Sequence, residues 1–233
     1  MLIEKVESCT VVIPLDNPTS FSTRTINERH YTLVRLRTRE GIEGLGYTYV
    51  GNKAGHLATL AVRDLLRANV IGKDTDDVES IWDAMFTDSL LHGRRGVVMR
   101  ALSAIDIAIW DARAKAAGKP LYRFLGGKRK QVPAYASGGY YKPGKSLADL
   151  QKETRAYANS GFTAIKMKVG RVSGKEDAIR IGTVREAIGP KVQLFVDANN
   201  AWTDAKEAIR TINFGSAITS DGSKSPVFLT IWT

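Results

Sequence analysis

From Gly126-Gly127 onward, short runs rich in β-branched residues alternate with stretches of helical periodicity. That alternation limits the second half of the chain to β-α units around a parallel sheet or barrel. VPAYAS (132–137) reads as a strand, Ser146 to Ala158 as a helix, and TAIKMKV (163–169) as a strand. Ser173 followed by Glu176 is a capping box opening a helix to about Ile188, which Gly189-Pro190 stops. VQLFVDA (192–198) is the next strand and Thr203 to Ile212 the next helix.

The first forty-nine residues have a different grammar. LIEKVESCTVVI, HYTLVRLRT and GIEGLGYTYV alternate apolar and polar residues as strands do. PLDNPTSFSTRTINER, between the first two, reads as a polar loop too long for a simple hairpin. Helical spacing follows over Ala54 to Leu66, Val78 to Leu90 and Val98 to Ala117, with Met99, Leu102, Ile105 and Ile109 forming one apolar stripe. Gly118-Lys119-Pro120 stops the last of these helices.

A composition of 43% hydrophobic and 25% charged residues excludes disorder as the main state. No apolar run reaches membrane-spanning length, and the charged start MLIEKVESCTVV lacks the apolar core of a signal peptide, so a cytoplasmic protein with no membrane partner is expected. The single cysteine, Cys9, excludes an internal disulfide and is expected to be a small buried apolar residue. Any metal would be held mainly by carboxylates. The net charge of +10 comes from scattered twos and threes of basic residues without interleaved aromatics, so no nucleic-acid partner is expected.

Two strand ends carry the chemistry. Lys166 and Lys168 flank Met167, and Asp197 and Asn199 flank Ala198; a period of two puts each pair on one side of its strand. Lys168 and Asp197 are 29 residues apart, about the ~30 of one strand-helix-strand unit, which brings both pairs to the carboxyl end of the sheet. Ligands bind at that end. A carboxylate there can hold a divalent cation, which as a Lewis acid stabilises the enolate left when a proton α to a carboxylate is removed. Two neighbouring lysines repel when both are charged, which lowers one toward neutrality as a general base while the other steadies the substrate's charge. The plainer alternative is that the lysines reach solvent and that Asp197 and Asn199 cap the next turn.

With the helix MRALSAIDIAIWDARAKAAGKPLYRFLGG, the strand AIKMKVG and the strand end VDANNAW, the first 210 or so residues resemble the mandelate racemase branch of the enolase superfamily. The resemblance implies an α+β N-terminal capping domain (1–128) followed by a (β/α) TIM-type barrel (from 129), a Mg²⁺ cofactor, a small carboxylate substrate and, for full-length relatives, a homo-oligomer. It implies Lys168 as the base, Lys166 as the lysine contacting the substrate carboxylate, Asp197 as the first metal ligand and Asn199 as a substrate contact. The capping loop makes Phe21 and Arg24 candidates for substrate contact, although a packing phenylalanine and a solvated arginine are the ordinary roles of such residues, as packing is for Tyr140 and Tyr141. Acid-sugar dehydration leads among the implied reactions, with racemisation or epimerisation of a hydroxy acid next. The alternative of another class is a non-catalytic remnant acting as a binding or oligomerisation module.

An eight-stranded barrel needs about 250 residues, and Val132 to Thr233 is 102, enough for about three β-α units of an incomplete barrel. The further metal-binding carboxylates and the histidine-aspartate pair implied by the resemblance do not occur; His30, His56 and His92 all precede the barrel half. Residues 214–233 lack family likeness. Asp221 to Pro226 can be encoded as GAT GGA TCG AAG AGC CCN, and reading from the first codon's final T gives Trp-Ile-Glu-Glu-Pro, the family's phrase for its second metal ligand. This tail is therefore expected to be the next barrel strand in a shifted frame. The chain as it stands is expected to bind Mg²⁺ weakly and to be inactive.

Overall fold

The structure is a computed structural model that describes residues 1–202, 204–216 and 227–229. The reading-frame expectation falls mainly on 217–226 and 230–233, which lie outside the described residues. The chain forms two compact units, one of Met1–Asp16 with Asn27–Lys130 and one of Asn17–Ile26 with Gln131–Thr233.

The first unit is strand-rich, then helical. β1 (Ile3–Phe21), β2 (Arg24–Thr38) and β3 (Glu43–Gly51) form one sheet in that order, with β2 and β3 antiparallel. The helical part comprises α1 (His56–Leu60), continued by a wider turn over Ala61–Leu66 and a 3₁₀ turn to Asn69, then α2 (Val78–Asp88), α3 (Val97–Ala116) and the short α4 (Leu121–Phe124). The stripe on α3 faces the core as expected: Leu102, Ile105 and Ile109 are fully buried and Met99 packs against them. Each such side chain contributes about 1.5–3 kcal/mol by leaving water. Two glycines let β3 lie directly on this helix. A Cβ on Gly44 would stand 2.0 Å from the Ala108 carbonyl oxygen, and one on Gly46 1.9 Å from that of Ala104. No side chain fits there.

Two expectations fail in this region. Residues 14–29 are not a loop: β1 runs to Phe21 and β2 starts at Arg24, leaving only Ser22-Thr23 to turn. Threonine, isoleucine and phenylalanine suit a strand, and Pro14 and Pro18 are tolerated because β1 is an edge strand needing no donor on its outer side. Cys9 is exposed rather than buried. Ser8 and Thr10 turn toward Thr59, with Ser8 Oγ donating to its carbonyl at 3.2 Å and Thr10 Oγ1 2.7 Å from its hydroxyl. Cys9, of opposite parity, faces away.

The second unit is built of parallel β/α units. β4 (Ala136–Gly138), α5 (Leu147–Asn159), β5 (Ala164–Lys168), α6 (Gly174–Ile188), β6 (Gln193–Asp197), α7 (Ala205–Ser216) and β7 (Val227–Leu229) alternate. The four strands pair in chain order as one parallel sheet. The Ser173–Glu176 capping box is present, with Ser173 Oγ accepting from the Glu176 amide at 3.3 Å and Glu176 Oε2 accepting from the Ser173 amide at 3.0 Å. Ile165, Met167, Leu194 and Val196 point from one face of the sheet into a core with Leu150, Ile181 and Val184 from α5 and α6. Within the tail, Val227–Leu229 forms a fourth strand beside β6. Val-Phe-Leu is a β-forming run whose value as a sheet neighbour depends on a partner distant in sequence. Among the described residues no helix is long and apolar enough to cross a membrane.

Candidate active site

The opposite face of the second sheet carries the polar residues. Lys168 lies beside Asp197 and Lys166 beside Phe195 in the β5–β6 register, so both amines and the carboxylate project from one face at the carboxyl ends of neighbouring strands. Lys168 Nζ is 2.7 Å and Lys166 Nζ 3.2 Å from the same atom, Asp197 Oδ2. All three residues are buried, at 6%, 7% and 2% exposure respectively. This corrects the solvent-reaching reading of the lysines.

Aromatic rings wall the ammonium groups. Lys168 Nζ is 5.5 Å from the centre of the Tyr140 ring and 5.8 Å from that of Phe21, while Lys166 Nζ lies 5.0 Å over the Tyr135 ring. Cations at such distances are attracted to ring faces. Phe21 reaches Lys168 from the β1–β2 tip, which belongs to the same compact unit. The tip is fastened at Ser20, which pairs with Tyr141, and at Ser22, whose hydroxyl donates to the Asn199 carbonyl at 3.1 Å. Arg24 is exposed on the outgoing strand, and none of the hydrogen bonds or ion pairs of the lysines and Asp197 involves it. The structure thus brings Phe21 to the site and leaves Arg24 outside it.

Asn199 arrives by a different route from the one its spacing predicts. β6 ends at Asp197, and Asn199 and Asn200 follow with φ of 45° and 65°. Asparagine tolerates this left-handed region better than most residues. The Asn199 amide N–H donates to Asp197 Oδ1 at 3.0 Å, while its side-chain Oδ1 is buried without a hydrogen-bond partner.

The ion pair sets the electrostatics of Lys166 and Asp197. Burial pushes the Lys166 ammonium down, but the Tyr135 hydroxyl and Asp197 carboxylate outweigh it and hold the group above its ordinary value. Burial likewise pushes Asp197 up, and the Lys168 ammonium, with the Asn199 amide and Lys166, brings it below the ordinary carboxylate value.

The residues at hand do not make a magnesium site. Among the described residues Asp197 is the one carboxylate that pairs with these amines; its Oδ2 is shared by two ammonium groups and its Oδ1 accepts from Asn199. The unpartnered Asn199 Oδ1 adds one neutral oxygen. Mg²⁺ demands near-octahedral oxygen ligation, and among the described residues no three His, Cys, Asp or Glu side chains come together.

Tyr135 and Ser22 are site residues that the sequence reading did not single out, and Tyr140, read there as packing, stands over Lys168. The period of two in VPAYAS carries a signal for the first, since Ser137 lies beside Lys166 in the sheet and Tyr135 shares its parity. Nothing local in the sequence marks Ser22.

Comparison with known proteins identifies the family. The Mandelate racemase / muconate lactonizing enzyme, N-terminal domain family matches residues 4–126, and the Enolase C-terminal domain-like family matches 149–214. The chain is 36% identical over 168 residues to an arabinonate dehydratase of Saccharolobus solfataricus, covering 72% of this chain and 45% of the relative. It is 37% identical over 203 residues to a 3,6-anhydro-alpha-L-galactonate cycloisomerase of Streptomyces coelicolor, covering 87% of this chain and 56% of the relative. A racemase from Streptomyces coelicolor A3(2), solved with bound magnesium, superposes with a TM-score of 0.86 at 33% identity, over 98% of this chain and 69% of that one. The chain therefore spans about half the length of these curated relatives. Matched along both its strand-rich unit and its β/α unit, the chain belongs to the mandelate racemase/muconate lactonizing enzyme family of the enolase superfamily.

Proposed function

We propose that these residues form the proton-abstracting half of an acid-sugar dehydratase site. The observation that carries the reading is the convergence of Lys166 and Lys168 on Asp197 at adjacent strand ends, beneath Phe21 and Tyr140. Lys168 takes the proton α to the substrate carboxylate; its lone pair forms the new N–H bond and the C–H electron pair passes into an enolate. The Lys166 ammonium faces the carboxylate as that charge develops, where a fixed positive group in a dry site is most effective. Asn199 Oδ1, buried without a partner, is ready to accept from a substrate hydroxyl. Loss of a β-hydroxyl completes dehydration, whereas reprotonation from the other side gives racemisation. The dehydratase relative from Saccharolobus solfataricus favours the first.

Magnesium, present in the racemase structure, would supply a Lewis acid to the substrate carboxylate. These 233 residues hold it weakly, for want of further carboxylates. Both lysines are also engaged with Asp197, and the Lys168 ammonium must first leave that pair and give a proton to water before its lone pair can act as a base. A polypeptide of these residues is accordingly inactive, and its tail from 214 is the family's next strand in a shifted frame, in keeping with a family match that stops at 214.

The test has two stages. DNA spanning the codons for Ala208 to Asp221 either contains an insertion or deletion, as the shifted frame requires, or does not, which removes that part of the proposal. The purified 233-residue chain is then incubated in D₂O with Mg²⁺ and a panel of acid sugars, alongside the product of the restored frame. Only the restored product is expected to exchange the α-proton and dehydrate, with both lost in Lys168→Met. Turnover by the 233-residue chain overturns its inactivity, and α-proton exchange that survives Lys168→Met overturns the assignment of the base.

A further inference from the structure

The carboxyl end of β5 has a gap in its ladder. The Val169 amide donates to the Asp197 carbonyl at 3.1 Å, so the trans peptide aims the Lys168 carbonyl the other way, toward β4. β4 stops at Gly138, opposite Met167, one residue short of a partner. Gly139 then leaves the sheet with φ of 64°, and a Cβ there would stand 2.7 Å from that of Met167. The carbonyls of Lys168 and Gly139 are both left without a strand to accept from, and a buried carbonyl without a donor is costly.

Arg180 of α6 closes the gap. Its Nη1 donates to the Lys168 carbonyl at 3.1 Å and its Nη2 to the Gly139 carbonyl at 2.8 Å. The guanidinium is itself fixed from two sides. It lies 3.8 Å from the centre of the Tyr141 ring, and Nη1 also donates to Asp177 Oδ1 at 3.1 Å. Asp177, 1% exposed, accepts in addition from the Tyr141 hydroxyl at 2.6 Å and the Gly170 amide at 2.6 Å. One planar fork thus substitutes for the missing rung and ties the ends of β4 and β5 to α6.

We infer that Arg180 is a positioning residue: by holding the Lys168 carbonyl it sets where the Lys168 amine stands against Asp197. The importance of that position rests on the proposed role of Lys168 as base, but the placement itself is read without any reaction. A misplacement of about 1 Å at a reacting group costs on the order of 10²-fold in rate.

Arg185, five residues along α6, provides the control. It is equally an arginine held by carbonyls, donating through Nη1 to Gly189 at 2.8 Å and Val192 at 2.7 Å, but these precede β6 at the far end of the unit. A buried lysine ammonium held by a carboxylate is shielded from exchange with water, so Lys168 is expected to give a persistent ¹H–¹⁵N ammonium cross-peak in the 233-residue protein at mildly acidic pH, assigned by its disappearance in Lys168→Met. Arg180→Met is expected to abolish the peak, and Arg185→Met to leave it at wild-type intensity. Should Arg180→Met fail to fold, Arg180→Lys serves in its place: it keeps the charge and the stem but has no fork to serve two carbonyls, and the peak is expected to vanish again. A peak that survives replacement of Arg180, that is lost equally on replacement of Arg185, or that is missing from the wild type overturns the inference. Failure of Lys168 as a base would show in the substrate assays and leave these spectra unchanged.

Discussion

Asp197→Ala removes the single carboxylate that two buried ammonium groups share. Breaking one buried pair typically costs about 3–5 kcal/mol, because the surviving charge stays out of water without compensation. Here one deletion orphans two amines, both within 3.2 Å of the same oxygen and both less than a tenth exposed, so the cost should lie at the upper end, about 5 kcal/mol. Domains have about 5–15 kcal/mol of stability in all. The appropriate assay is urea unfolding followed by hydrogen exchange at the amides of β5 and β6, which reports on the second unit alone. Lys166→Met in the Asp197→Ala background should restore part of the loss by removing one unpaired charge. The pH dependence has a definite sign. Lys166 is held above its ordinary value, so its contribution is complete below that value and is lost as pH rises through the raised one; Asp197 is held below its ordinary value, so its contribution is lost as pH falls through the depressed one. The difference between wild type and Asp197→Ala should therefore be flat across neutral pH and close at both extremes. An Asp197→Ala protein within about 0.5 kcal/mol of wild type at neutral pH, the size of an ordinary surface substitution, would refute the shared ion pair.

Two further outcomes are expected. Gly46→Ala in β3 places a methyl group 1.9 Å from a backbone oxygen of α3 that cannot swing aside, so thermal unfolding should show a loss of about 3 kcal/mol or more, and Gly41→Ala, with open space around it, only the smaller strain of its positive φ. In the second unit, burial pushes Glu153 up, but the Lys145 ammonium, the Gly139 amide and the Tyr157 hydroxyl hold its carboxyl below the ordinary value. Its contribution is present above the unfolded carboxyl's pKa of about 4.3 and is lost as pH falls through the depressed value. Glu153→Gln should flatten the acid side of a stability–pH curve, and a curve parallel to wild type would contradict the interaction.

Much of the site was legible because it follows from period and topology. A spacing of two places Lys166 and Lys168 on one face, and a strand-helix-strand unit of about thirty residues carries Asp197 to the neighbouring strand end. The register of that pairing was not legible. It brings both amines onto a single carboxylate oxygen, Asp197 Oδ2. The β1–β2 tip shows a second limit: its prolines suggest a loop until the strand is known to lie at an edge. Arg180 shows a third, because the vacancy it fills is created by where β4 stops, which no single segment announces.

The β1–β2 tip, Asn17 to Ile26, is grouped with the second unit although the strands that carry it are rooted in the first. Two polypeptides made by dividing the gene after codon 130 would consequently place Phe21 and Lys168 on different molecules. Recombination at that natural-looking seam would deliver the lysines without the ring that overlies them. Point changes among those ten residues, by contrast, can alter what meets a substrate while every β/α strand keeps its inheritance intact.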